Sequence, residues 1–416
     1  MRKLSAVFTK DMKNTHTIYL PEMLEYHFPI LKSALTAGGY RADILSNRGR
    51  EIFDAGKRFV HNDMCFPAIA IIGQIINALE NGLCDPRRSA FLLPQTGGAC
   101  RASNYPELLK KALEAAGYGS VPVISLNAAS VNLRSGFGIT PAMIKAAVKS
   151  VLTGDLLMHL AQQTEPYEKQ AGAVQALVEK WQKKLCGVFS AEKLSHKNKI
   201  KEICTEILES FSEIEITEKS KPKIGIAGEL YIKYCRIGNL DTERFLVSHG
   251  CEIRTTGFSV YCLYVLKSVL FDDGADEFSK RAAAFLCSYL SKKYDDVCRL
   301  VDGFPCFSRM PRFSEFMSES GKIISPDCIT GDGWLISAEA QVLYKCGYKR
   351  LLFLNPFGCL VSHINCKGAA AEIRKKIPEA SVTSGECDCD GSEALFYSRL
   401  LLAAGNGKIF GGCHNV

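Results

Sequence analysis

The chain has 416 residues, 47% of them hydrophobic and 23% charged, which sets a prior of two or three domains with real apolar cores and excludes disorder as the default. Its net charge of +7 is spread over both halves without an Arg-rich arm or basic run, so the surface reads as solvated mixed charge and not as a nucleic-acid site. The N-terminal MRKLSAVFTKDMKN lacks the apolar stretch of a signal peptide, and no window approaches the roughly 18 apolar residues of a membrane span. A cytoplasmic protein without a membrane partner is expected. In that compartment the 18 cysteines would stay reduced, and they point to buried thiols, catalysis or metal. Most are expected to be small buried hydrophobes.

In chain order, residues 17–22 (TIYLPE) predict a strand, followed by a helix from His27 to Ala37 that Gly38-Gly39 stops. Residues 41–45 predict a second strand, and 67–80 (PAIAIIGQIINALE) an apolar helix opened by Pro67. A buried strand is expected at 89–95 (SAFLLPQ), an amphipathic helix at 105–116 and a strand at 121–126. Strands separated by helices of this length imply right-handed crossovers and a parallel sheet.

Residues 141–220 read as mostly helical and, from Glu165 on, highly charged, an extended connection ended by Pro222. A second alternating series begins at Lys223: strands at 223–228, 251–255, 350–355 and 380–384, and helices at 241–249, 260–271, 275–294, 334–346, 367–377 and 392–404. Residues 295–330 read as irregular, and 405–416 as a Gly-rich tail. The halves are similar in kind, without a convincing sequence repeat. The expected domains are 1–140, a helical connection 141–221, and 222–416.

Ligands of open parallel sheets bind beyond the carboxyl ends of strands. Two cysteines fall there: Cys100, after 89–95 and the loop TGGA, and Cys359, after 350–355 and NPFG. Gly97, Gly98 and Gly358 would let the backbone approach a bulky cofactor. Cys65, in HNDMCFP, precedes the helix opened by Pro67, where partial positive charge favours a thiolate. Taken singly, each of the three reads first as an inert buried thiol; together, in turn-like settings flanked by glycine, they point towards a site, although no CxxC pair strengthens the pattern. Three thiolates on a cubane would leave one iron open to water or substrate, whereas four would restrict it to electron transfer.

The blocks HNDMCFPAIAIIGQ (61–74), QTGGACRASNY (95–105), GDGWLISAE (331–339) and NPFGCLVSHI (355–364) resemble the acyl-CoA dehydratase activase-related family. That family is similar to the cluster-bearing subunits of 2-hydroxyacyl-CoA dehydratases, benzoyl-CoA reductases and double-cubane cluster proteins. KIGIAGELYIKY (223–234) and TIYLPEMLEYHFPIL (17–31) fit too, and the resemblance spans nearly the whole chain, weakest at 140–220 and 275–325. It implies an α/β fold of two Rossmann-like domains with a cluster in the cleft between them, held by Cys65, Cys100 and Cys359. The implied cofactor is a [4Fe–4S] cluster or, as a variant, a double-cubane [8Fe–9S] cluster. The implied partner is an ATP-hydrolysing iron–sulfur activator that delivers low-potential electrons in trans, and a homodimer follows by analogy.

The sequence also departs from the family pattern. Val361-Ser362 stand where a proline–asparagine pair is usual before His363, Cys366 replaces a glycine, and Cys387 and Cys389 in ECDCD have no counterpart. Cys306, Cys328, Cys387 and Cys389 are secondary ligand candidates, the last two on one face if they lie on a strand. Cys413, in the tail, reads as incidental. His61 and His363 could donate protons or be structural histidines. Arg101, Ser103 and Asn104 could contact a substrate, while Ser103 or Asn104 also reads as a cap for the helix from Pro106, and Asp332 as a cap for the helix at Trp334. No phosphate-binding loop motif exists, so ATP belongs to the partner.

Three functions compete: a reductase or dehydratase acting on a small substrate through an open iron, an electron-transfer or cluster-carrier protein without its own substrate, and a structural zinc protein. The acyl-CoA class is the obvious substrate guess, although no residue identifies a CoA pocket. Isolated cysteines without CxxC pairs disfavour zinc.

Overall fold

The computed structural model describes residues 6–61, 63–95, 99–127, 136–190, 200–218 and 220–405. The chain divides into two compact units, one comprising Met1–Ser150 with Lys183–Leu194, the other Val151–Gln182 with Ser195–Val416. The helical middle of the chain is thus shared between them: the helices Pro141–Thr164 and Ala173–Ser190 each pass from one unit to the other.

The first unit is built on a parallel sheet of β1 (Thr17–Leu20), β2 (Arg41–Ile44), β3 (Ser89–Gln95) and β4 (Val123–Asn127), in the order β2-β1-β3-β4. Ile18 of β1 faces Ala42 on one side and Ala90 on the other, and Phe91–Gln95 pair with Val123–Asn127. One core gathers Phe8, Ile18, Leu35, Tyr40, Ala90, Leu92, Ile124 and Phe137. The helix Phe66–Glu80 is buried almost end to end, as its largely apolar sequence requires. It crosses the helix Glu51–Phe59 at glycines: a Cβ on Gly56 would meet Ile69 O at 2.2 Å, and one on Gly73 would meet Ile52 O at 2.0 Å. Backbone-to-backbone packing of this kind fixes where the N-terminus of Phe66–Glu80, and with it Cys65, must lie.

The second unit repeats the plan with β5 (Lys223–Gly228), β6 (Glu252–Thr255), β7 (Arg350–Pro356) and β8 (Ser381–Cys387), parallel and ordered β6-β5-β7-β8. Its core joins Ala227, Leu351 and Phe353 of the sheet to Ile336, Ala340 and Leu343 of the helix Leu335–Lys345 and to Ile373. The exposed edge of β6 is blunted by Gln162, whose Oε1 accepts the Thr255 N–H at 3.0 Å while its Nε2 donates to Thr255 Oγ1 at 2.7 Å. Asp155 accepts the N–H groups of Phe258 (2.6 Å) and Ser259 (2.9 Å), supplying the helix Phe258–Phe271 with the cap that Gly257 cannot. Both units are therefore α/β with Rossmann-like strand order, as alternation in the sequence predicted. Among the described residues no helix is long and apolar enough to cross a membrane.

The elements that differ from expectation are held by tertiary contacts. Glu51–Phe59 was not foreseen, since Gly56 in mid-helix weakens the local signal. The helix expected to end at 294 continues to Asp302, and Phe313–Glu319 is helical inside the stretch read as irregular. Glu315 explains the latter: it accepts the Arg312 N–H at 2.8 Å and both arms of Arg309 at 2.6 and 2.8 Å. The helix expected from 367 is preceded by a π-helical turn, His363–Gly368.

Gly228 closes β5 with φ +150°, and a Cβ there would lie 2.1 Å from Leu354 O on β7. Gly228→Ala is expected to cost about 2–3 kcal/mol, measured by urea unfolding. Gly187→Ala, where a Cβ meets nothing within 4 Å, is the control and should be neutral or slightly stabilising. Equal stability of Gly228→Ala and wild type would show that β5 and β7 have room to separate.

Candidate functional site

In a parallel sheet with helical crossovers, the helices run against the strands. Helix N-termini and strand C-termini therefore share one edge. In the first unit that edge carries Cys65 and Cys100. Cys65 occupies the N-cap position of Phe66–Glu80 with extended backbone and is buried. Its Sγ lies 2.8 Å from Tyr105 Oη. Cys100 occupies the same position before a single 3₁₀ turn, Arg101–Asn104, and is half-buried. Its carbonyl accepts from the Ser103 N–H at 3.1 Å and from the Ser103 hydroxyl. Arg101 Nη1 donates to the Asp63 carbonyl at 2.6 Å. Two contacts, Arg101 to Asp63 and Tyr105 to Cys65, thus tie the loops of the two cysteines together. Gly97 and Gly98, which the sequence placed before Cys100, lie outside the described residues.

In the second unit the same edge carries Glu229 after β5, Asp332 before the helix Leu335–Lys345, and Cys359 after β7. Cys359 Sγ accepts the Ser362 N–H at 3.5 Å, and its carbonyl accepts from His363 N (3.1 Å) and His363 Nδ1 (2.7 Å). Burial, with Glu229 and Asp332 nearby, pushes the Cys359 thiol up to about 12, against the pull of the Ser362 hydroxyl and N–H. Glu229 caps Leu230–Tyr234 by accepting the Ile232 N–H at 3.0 Å. Burial nevertheless raises its carboxyl to about 6. Asp332 is raised well above the carboxylate range by burial and by Glu229, although the Leu230 N–H donates to it. One turn deeper, Lys233 Nζ meets Glu339 Oε1 at 2.5 Å, both fully buried, and Thr256 Oγ1 bonds the same oxygen. Burial alone would depress Lys233, but Glu339 raises it above the usual ammonium range. This edge therefore holds one ion pair and two carboxyls whose pKa values burial raises.

The remaining candidates divide clearly. Cys387, buried, ends β8, and Cys389 lies beyond the strand, so the shared strand face does not form. Cys306 is exposed, and Cys328 is half-buried with its carbonyl accepting the Trp334 N–H at 3.0 Å. Cys413 lies outside the described residues. His61 is exposed, 3.4 Å from Asp63. Asn104 occupies the N-cap position of Tyr105–Ala115 without a side-chain bond, and Ser103 turns to Cys100 instead, so neither side chain caps that helix. Asp332 is not the cap of its helix either, since Trp334 occupies that position. Sequence reasoning missed Glu229, Lys233 and Glu339. Glu229 was accessible by rule, as the first residue beyond β5.

A small enclosure at β6, with Met158, Met310 and Leu343 among its lining beside Asp155, His159 and Arg254, is structural in character. Asp155 is committed to its helix cap, and burial, with Arg254 beside it, keeps His159 neutral.

No disulfide joins the described cysteines, and among the described residues no three or more His, Cys, Asp or Glu side chains group as a metal cage. The Cys359 sulfur accepts the Ser362 N–H, and the buried Ser362 Oγ has no partner. No family model and no curated protein matches the chain.

The raised carboxyl of Glu229 has a consequence for stability. A folded-state value above the unfolded one means that stabilisation is complete below the ordinary carboxylate range and is lost as pH rises through about 6. In the metal-free chain, wild type is expected to lose about 1 kcal/mol more than Glu229→Gln between pH 4.5 and 7.5, measured by urea unfolding at both pH values. Parallel curves for the two proteins would rule this out.

Proposed function

We propose that the chain is an iron–sulfur protein of the 2-hydroxyacyl-CoA dehydratase type, with Cys65, Cys100 and Cys359 as the ligands of its cluster. One observation carries the reading. Cys100 and Cys359 follow the third strand of two sheets with the same strand order, and the Cys65 loop is tied to that of Cys100. Two thiols of one resemblance-derived ligand set thus occupy equivalent places, at the point where Rossmann-type sheets bind their ligands.

A cluster held by three thiolates supplies, when bound, one-electron redox chemistry and an iron open to water or substrate. The chain's own residues supply the rest. The three cysteines bind as thiolates. Asp332, raised well above the carboxylate range, holds a proton at this edge, and Glu229, raised to about 6, can exchange one near neutral pH, where a reduction or dehydration consumes protons. The low-potential electrons come from an ATP-hydrolysing activator in trans, and a cytoplasmic homodimer completes the proposal. The competing reading, an electron-transfer or cluster-carrier protein, draws on Cys366, a buried thiol within electrostatic reach of Cys359 that could complete a ligand set.

Iron and acid-labile sulfide in anaerobically purified protein test the proposal, alongside Cys65→Ala, Cys100→Ala and Cys359→Ala. About four irons per chain, lost in each variant, is the expected result. About eight would indicate a double cubane and recruit further cysteines. Absence of iron from protein made anaerobically with adequate iron and cluster assembly would remove the mechanism, and zinc in its place would favour the structural alternative.

A further inference from the structure

We propose that the exposed apolar face of the helix Glu277–Asp302 is the surface on which the chain pairs with a second copy of itself, the two helices lying antiparallel about a two-fold axis at Phe285. The inference names the interface of the homodimer in the reading above and does not depend on the cluster.

The helix carries two apolar faces. One, with Ala283, Leu290, Tyr294, Val297 and Val301, is buried within its own unit. At 3.6 residues per turn, Phe278, Phe285, Leu286 and Tyr289 fall on a second face about a third of a turn away. That face is open to solvent: Phe278 is 81% exposed, Phe285 72%, Tyr289 43% and Leu286 40%. A helix that serves a single core needs one apolar stripe, so the second is unexplained by the fold of its own unit.

The area is that of an interface. With about 150–250 Å² on each aromatic side chain, the three rings leave about 400 Å² in water, the size at which a contiguous patch is often functional. Two such patches face to face would bury about 800 Å² from the rings alone, most of the about 1,000 Å² that a specific interface needs. Leu286 and the rim of the helix add to that.

Charge selects the occupant. Asp272, Asp273, Asp276 and Glu277 crowd the start of the helix, all exposed. Lys292 and Lys293 follow about four turns later, about 24 Å along the axis. A partner of one sign would be attracted at one end of this stripe and repelled at the other. The complement of the stripe is the same stripe reversed. A two-fold axis at Phe285 sets each residue against the one equally far beyond it. Glu277 then faces Lys293 of the second copy, and Arg281 faces Tyr289, over whose ring a guanidinium is favoured. Parallel copies would instead set Glu277 against Glu277 and Lys292 against Lys292. Lys293 can turn to this task at little cost, since its contact with Asp296 is long, 3.8 Å, and solvated. Because Phe278 and Phe285 face water and not the core, replacing them should alter association and leave folding intact.

The test is sedimentation equilibrium of the anaerobically purified full chain, with circular dichroism and iron content on the same samples. Wild type should sediment as two chains. Phe285→Glu sets two carboxylates against each other at the axis and should raise the dimer dissociation constant at least about thirtyfold, with an unchanged dichroism spectrum. Phe278→Ser should act in the same direction and carries the test if Phe285→Glu does not fold. Glu277→Lys should weaken the dimer, and adding Lys293→Glu should restore it. Wild type sedimenting as one chain overturns the inference and leaves the face to a different protein. A folded Phe285→Glu or Phe278→Ser with the wild-type dissociation constant overturns it too, placing the dimer contact elsewhere. Failure of Lys293→Glu to rescue Glu277→Lys overturns the antiparallel pairing. One chain with full iron removes this interface and leaves the cluster reading standing, whereas two chains without iron do the reverse.

Discussion

The fold depends on a topological constraint that appears twice. In each sheet the first strand has its successor on one side and the third strand on the other. With right-handed crossovers, the two connections must leave the central pair towards opposite faces of the sheet. Neither connection can then cover the carboxyl ends of those strands, and a crevice is left without further design. Every residue given a chemical role here stands at such an edge. Cys100 and Cys359 follow the third strands, Glu229 follows a first strand, and Cys65 and Asp332 precede helices that return to the N-terminal edge. The first unit has an acid after its first strand too, Glu22, but there Arg48 neutralises it with bonds of 2.8 and 2.6 Å. The same position is a structural ion pair in one sheet and an acid with a raised pKa in the other.

That difference has an energetic reading. A buried carboxylate is tolerated when a cation is delivered to it, as Lys233 is to Glu339. The second unit buries one ammonium among three carboxyls, and the pKa values of the two it does not pair are raised. Acids held with raised pKa values cost stability at neutral pH, even where, like Glu229, they accept a helix N–H. Arrangements that cost stability in this way are found where protons are moved, and titratable groups pushed apart by their surroundings mark acid and base roles.

The strands, their parallel sense and most helices were legible because hydrophobic runs such as SAFLLPQ and RLLFLN alternate with helical periodicity over short distances. The cysteine positions were legible for the same reason, since a residue just past a strand can be located without knowing the fold. What could not be read was whatever depends on two distant segments meeting. Phe313–Glu319 needs Arg309 and Glu315, Glu51–Phe59 needs its glycine crossing with Phe66–Glu80, and Asp332 looks like a helix cap until Glu229 and the Leu230 N–H are placed beside it. Local rules favoured Ser103 and Asn104 as caps as well. The structure spends Ser103 on the carbonyl of Cys100 instead, a choice made by the loop and not by the helix.

The thiols themselves show which property separates a candidate ligand from a core residue. Burial pushes Cys204 and Cys298 up to about 12, the same value as Cys359. Neither burial nor pKa therefore distinguishes them. For Cys204 burial is the sole cause, and for Cys298 the groups acting on it are charges at the ends of ionic side chains, with no hydrogen bond to the sulfur. Cys359 differs in having the Ser362 N–H donated to its sulfur and its carbonyl fixed twice by His363. A thiol kept neutral in a core needs nothing from its neighbours beyond packing. A thiol that must become a thiolate needs donors already in place, because the protein interior cannot reorganise around new charge as water does. By that criterion Cys359 is set apart from Cys204 and Cys298 by what faces it, and its position after β7 is the reason the Ser362 N–H and His363 can be there.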